Sequence, residues 1–164
     1  MKRILVAALL LISATLASAQ EGKNLYNKYS SEKGVSAVYI SPAMLKLIGQ
    51  LPDLKIQTQD GKSMDIAALI SSFHGFYMLE ITDPSAMATL RKDVSSMIGT
   101  GRYELLMEMK EEGETLNIYT AGDEKVIDSF VFIATESDGL QFICIDGAMN
   151  RSDVEKLIST AAAK

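Results

Sequence analysis

The stretch Tyr103-Glu104-Leu105-Leu106-Met107-Glu108-Met109-Lys110 decides the fold. Tyr103, Leu105, Met107 and Met109 stand at every second position, with Glu104, Glu108 and Lys110 between them. A period of two is that of a strand, and this one reads as half-buried with an apolar and a wet face. Downstream, Glu112-Gly113 turns the chain into a second strand, Thr115 to Thr120. A polar link from Ala121 to Glu124 leads to Ser129-Phe130-Val131-Phe132-Ile133-Ala134. Asp138-Gly139 is a hairpin signal, and Leu140 to Asp146 returns. The last third is therefore a four-strand antiparallel meander. Ser152-Asp153-Val154-Glu155 has the form of a capping box opening a final helix, with Val154, Leu157, Ile158 and Ala161 on its buried side.

Upstream, the elements alternate. Gly22 to Lys33 places Leu25, Tyr26 and Tyr29 at helical spacing, and Gly34 ends that helix. Val35 to Ile40 is β-rich. Ser41-Pro42 then starts a helix, Ser as N-cap and Pro where its missing N–H costs nothing, with Met44, Leu45, Ile48 and Leu51 as its apolar stripe up to Pro52. Asp53 to Lys62 is polar and holds an Asp60-Gly61 turn, and Met64 to Ser72 reads as a short helix. Phe76 to Thr82 is a strand, and Asp83-Pro84 opens a helix striped by Met87, Leu90, Val94 and Met97. Gly99-Thr100-Gly101 closes it. The whole is α+β: a mixed, mostly antiparallel sheet of about six strands with helices packed on one face. A right-handed crossover would make the first two strands parallel if they are neighbours.

The chain opens Met1-Lys2-Arg3, runs apolar from Ile4 to Leu16, and reaches Ala17-Ser18-Ala19 before Gln20-Glu21. Charged start, apolar middle and small-residue exit describe a secretory signal peptide, residues 1–19, cleaved between Ala19 and Gln20. The apolar stretch is shorter than the ~20 residues a bilayer span needs, and a retained membrane anchor is the alternative reading. Gln20 stands where a lipoprotein carries cysteine, so no lipid anchor is expected, and no later segment is apolar enough to span a membrane. Residues 20–164 then form a single domain, large enough to bury about two-thirds of its unfolded surface. Losing Lys2 and Arg3 takes the formal net charge from −5 to −7. Such a protein repels nucleic acid and anionic headgroups. Cys144 is the only cysteine, so the core holds the fold without an internal disulfide. The expected location is periplasmic or fully secreted.

Residues that carry chemistry are sparse. His74 is the only histidine, in Ser72-Phe73-His74-Gly75-Phe76. As a base or metal ligand it would need partners, and a strand-entry histidine is the plainer reading. Cys144 sits in Ile143-Cys144-Ile145, a core-like setting in which cysteine is usually inert. Asp60, Asp65, Glu80 and Glu104 have no spacing that pairs two carboxylates. Glu108, Glu111, Glu112 and Glu114 gather at one hairpin, as a solvated turn would. Gly99-Thr100-Gly101-Arg102 follows a helix, whereas phosphate loops precede one. Asn150-Arg151-Ser152 matches a glycosylation sequon, but capping by Ser152 explains it. Met107 and Met109 read as core filler rather than copper ligands. No catalytic set, metal site or cofactor is expected.

Four stretches bear comparison with known proteins: Tyr26-Asn27-Lys28-Tyr29, the run Gly34 to Leu45, Tyr103-Glu104-Leu105-Leu106-Met107, and Phe142-Ile143-Cys144-Ile145-Asp146-Gly147. Together they resemble a family of small exported proteins of Gram-negative bacteria, the domain of unknown function 4252 family (DUF4252), over about Leu25 to Leu157. The matching positions are mainly core and cap residues, so the resemblance implies a fold and no chemistry. Many members resemble lipoproteins, from which this chain departs at Gln20. The family has no assigned activity, so no catalytic residue carries over.

Three functions fit this sequence. The first is a non-enzymatic envelope module that binds a protein or peptide, in which Tyr39, Tyr77 and Tyr119 contribute to the surface and a sheet edge accepts a strand. The second is a hydrolase using His74 or carboxylates gathered only in three dimensions. The third is a carrier of a small apolar ligand, which requires a cavity of a few hundred Å³.

Overall fold

The computed structural model describes residues 20–51, 55–57 and 63–162. The expected signal peptide and its Ala19 junction lie outside them, as do Asp60 and the Asp60-Gly61 turn. In chain order the described elements are α1 (Glu21–Tyr29), β1 (Val35–Ile40), α2 (Pro42–Gly49), β2 (Lys55–Gln57), β3 (Ser63–Asp65), α3 (Ala67–Ser71), β4 (Phe73–Ile81), α4 (Pro84–Ile98), β5 (Tyr103–Glu111), β6 (Glu114–Gly122), β7 (Val126–Thr135), β8 (Leu140–Asn150) and α5 (Arg151–Ala162). The fold is α+β. One sheet of six strands has the order β1-β4-β8-β7-β6-β5, and β2 and β3 pair separately.

Every neighbouring pair in the six-stranded sheet is antiparallel, so the expected parallel first pair is corrected. Ile40, the last residue of β1, pairs with Phe76 near the start of β4. The α2–β2–β3–α3 excursion thus leaves and re-enters at the same end of the sheet, and the handedness rule for parallel crossovers does not apply. Within that excursion Ser63–Asp65 pairs as a strand with Lys55–Gln57, where the sequence predicted a helix from Met64 and a polar loop.

Local chemistry explains several boundaries. The Ser41 hydroxyl accepts from the Met44 N–H at 3.2 Å, and the Asp83 carboxylate from the Ala86 N–H at 2.9 Å, each followed by proline at the first helical position. Asp83→Ala should cost about 1 kcal/mol, read as a shift of the urea midpoint at unchanged m-value. The β5–β6 turn is Glu112-Gly113, both at positive φ (45° and 93°), as a tight two-residue hairpin requires. At the last helix Asn150, not Ser152, does the capping: its side-chain oxygen accepts from the Ser152 N–H at 3.0 Å and from the Ser152 hydroxyl at 2.8 Å.

The core lies between the sheet and two helices. Leu25 and Tyr29 of α1 and Leu90, Val94 and Met97 of α4 pack on Tyr77, Leu79, Ile81, Val131, Phe142 and Cys144. Gly22 is what lets α1 lie so close: a Cβ there would stand 2.4 Å from the Cys144 sulfur. The Tyr103 hydroxyl donates to Glu21 at 2.6 Å and the Tyr29 hydroxyl to Asp93 at 2.7 Å, pinning both ends of α1. The expected packing of helices on one face therefore holds for α1 and α4 only. A second cluster, Ile127, Met149 and Val154 with Leu69, Phe73 and Phe130, brings α3 and α5 to the opposite face. Of the predicted α5 stripe Val154 is buried, while the side chains of Leu157, Ile158 and Ala161 lie outside those described.

Candidate functional site

Among the described residues, those singled out for chemistry do not converge. His74 is exposed in β4. Glu80 lies on β4 and Glu104 on β5, which is the far edge of the sheet, and both are exposed. The side chain of Asp65 lies outside those described. Glu108 is ion-paired to Lys110 at 2.6 Å along β5. No group of three or more ligating side chains gathers among the described residues. Tyr39 and Tyr77 stack at 5.2 Å between ring centroids, with Tyr26 against both. Tyr77 is nonetheless buried, and Tyr119 packs against the core three strands away, so the three tyrosines form no common surface.

Cys144 is fully buried beneath Gly22 of α1. Burial and the neighbouring Asp146 carboxyl raise its thiol well above the ordinary range. A thiol held protonated and roofed by a helix is no nucleophile. It donates to Asp146 at 3.3 Å and lies 3.4 Å from the Ser129 hydroxyl. Asp146 is 2% exposed, and its second carboxylate oxygen has no partner. Burial lifts its carboxyl from 3.8 to about 6, against the hydrogen bonds from Cys144 and Ser129 that favour the anion.

The feature that can do something lies on the other side of the sheet. One ladder row on that outer face runs Met107–Ile118–Phe132–Ile143, and the next runs Thr120–Phe130–Ile145. Phe130 and Phe132 alternate with Val131, which belongs to the inner core, so they must point outward. Ile118, Phe130, Phe132 and Ile145 form the floor of a trough of about 450 Å³. Leu69, Phe73, Met149 and Val154 make one wall, and Leu106 and Met107 the opposite lip. Its lining carries no charged side chain.

A β-bulge builds that lip. Leu105 pairs with Tyr119 but Met107 with Ile118, so Leu106 is an extra residue. Tyr103 and Leu105 therefore face inward, whereas Met107 and Met109 face outward; the single alternating face predicted from sequence is split in two. The predicted half-burial of β5 is also corrected: only Tyr103 is partly buried, and Leu106, Met107 and Met109 are 44, 43 and 49% exposed. Among the described residues, no neighbour pairs with the outer edge of this strand.

Two neighbours of the trough complete the picture. Along the same face, the next row, Met109–Leu116–Ala134–Gln141, floors a second hollow of about 310 Å³ rimmed by Glu111, Glu114 and Glu136. On the inner face, Arg91, Ser95, Asn117 and Tyr119 line a hollow of about 390 Å³ beneath α4. No helix among the described residues is long and apolar enough to cross a membrane.

A comparison with curated proteins found no match. Residues 29–157 match the family described as Domain of unknown function (DUF4252), a stretch that takes in β1 to β8 and the start of α5. With most of its length matched, the chain belongs to the DUF4252 family.

Proposed function

We propose that this protein is an exported, non-enzymatic binding module of the bacterial envelope that takes a protein or peptide partner on the outer face of its sheet. The observation that carries this reading is the apolar trough with its open lip at Leu106 and Met107. A contiguous apolar hollow left facing water costs free energy that a bound partner recovers, and such patches mark interaction sites. The hydrolase reading has no comparable support, since His74 stands exposed and the one thiol is enclosed. The carrier reading keeps one point in its favour, because the trough is of small-ligand size.

The test is partner capture from an envelope extract with residues 20–164. Met107→Asp should weaken capture of the main partner at least tenfold, by placing a charge at the trough's lip. Leu47→Asp, at a still more exposed apolar position on α2, should leave it unchanged. Equal loss in both variants would mean general stickiness and would overturn the reading. A small apolar molecule recovered in place of a protein would turn it into the carrier.

A further inference from the structure

The outer face has a direction: apolar at one end and acidic at the other. From the floor at Phe130 and Phe132 it continues through Ala134 to Glu136 at the β7–β8 turn. Glu111 and Glu114 close the same end from β5 and β6, and no basic side chain lines either hollow among the described residues. Glu111 and Glu114 are directly paired across the ladder, and like charges so placed destabilise a hairpin. The pairing does not serve stability, and a cationic occupant would relieve its repulsion.

The trough lining also restricts the occupant's backbone. It offers almost no polar group, and it lies on a sheet face rather than an edge. An extended peptide pressed into it would leave peptide N–H and C=O groups unsatisfied, at a cost of roughly 1–3 kcal/mol each. A helix satisfies its own backbone and presents side chains only. A fatty acid or anionic lipid would bring its charge towards three glutamates. From Phe130 to Thr135, β7 rises about 17 Å, which matches about 11 residues of helix. Methionine lips, here Met107 and Met109, adapt well to the side chains of such a helix.

We propose that the outer face binds a cationic amphipathic helix of a partner. Its apolar stripe fills the trough, and a Lys/Arg-bearing end lies on Glu111, Glu114 and Glu136. This inference rests on the outer face being the binding face and names the partner's chemistry.

The test uses a 14-residue peptide with leucines at helical spacing, lysines elsewhere and one tryptophan. The protein has no tryptophan, so peptide fluorescence reports binding directly. The expected result is saturable 1:1 binding with a blue shift. The combined Glu111→Gln, Glu114→Gln and Glu136→Gln variant should weaken it at least tenfold and flatten its salt dependence, at unchanged circular dichroism. Peptides with lysine replaced by glutamate, or leucine by serine, should not bind. Equal binding of the glutamate peptide, an unaffected triple-glutamine variant, or saturation by oleate in place of the peptide would each overturn the proposal. If the peptides fail while Met107→Asp still abolishes capture of a natural partner, the binding face stands and the cationic helix is ruled out.

Discussion

Asp146→Asn should make the protein more stable at neutral pH, by as much as about 3 kcal/mol, and should leave it unchanged below about pH 4. The folded protein holds this carboxyl at about 6 against an ordinary 3.8, with burial beneath α1 as the first cause. A raised carboxyl means that the folded state binds more protons than the unfolded one between these two values. Stability from this group is therefore complete below about pH 3.8 and falls as pH rises to about 6. The gap between the folded and unfolded values, about two pH units, is equivalent to roughly 3 kcal/mol. Asparagine keeps an oxygen to accept from Cys144 and carries no charge to desolvate. Urea unfolding of both proteins at pH 4, 5, 6 and 7.5 reads the difference directly. Parallel curves across that range, or a less stable variant at pH 7.5, would show that Asp146 is ionised at no cost in the folded state.

Phe142→Ala should cost about 3–5 kcal/mol, the range for emptying a large buried aromatic site. Phe142 has no solvent exposure and pairs with Leu79 on one side and Ile133 on the other, beneath Val94 of α4. Neither sheet neighbour can move inward without breaking its ladder, so the cavity stays. Against a typical total of about 5–15 kcal/mol, this loss should lower the melting temperature by roughly 10–20 °C. Leu47→Ala, 61% exposed on α2, should change stability by no more than about 0.5 kcal/mol. A comparable loss at Leu47 would mean that α2 is covered by something in solution.

Much of this architecture was legible in the sequence because it rests on local chemistry. Ser41-Pro42 and Asp83-Pro84 start helices as capping requires, and Glu112-Gly113 turns as its backbone dictates. The direction of β1 against β4 was not legible, because it depends on where a long excursion re-enters the sheet rather than on any residue in either strand. The bulge at Leu106 was equally hidden: an extra apolar residue in an alternating strand leaves the composition of the stretch unchanged yet moves Met107 and Met109 to the other face. The trough did leave a signal. Phe130-Val131-Phe132-Ile133-Ala134 is apolar at every position, which marks a strand whose two faces are both apolar. Helices on one face alone could not have covered it.

The position of β8 has a consequence for how the chain comes into being. It pairs with β4 on one side and β7 on the other, yet it is the last strand in sequence. Until it emerges, β1–β4 and β5–β7 have no seam to join them, and each presents an unfinished edge. A nascent chain of this order cannot close its sheet early, since its most distant pairings must wait for the keystone. Completion is then a single late event, and a polypeptide truncated before Leu140 is left with two strand groups and no strand to join them.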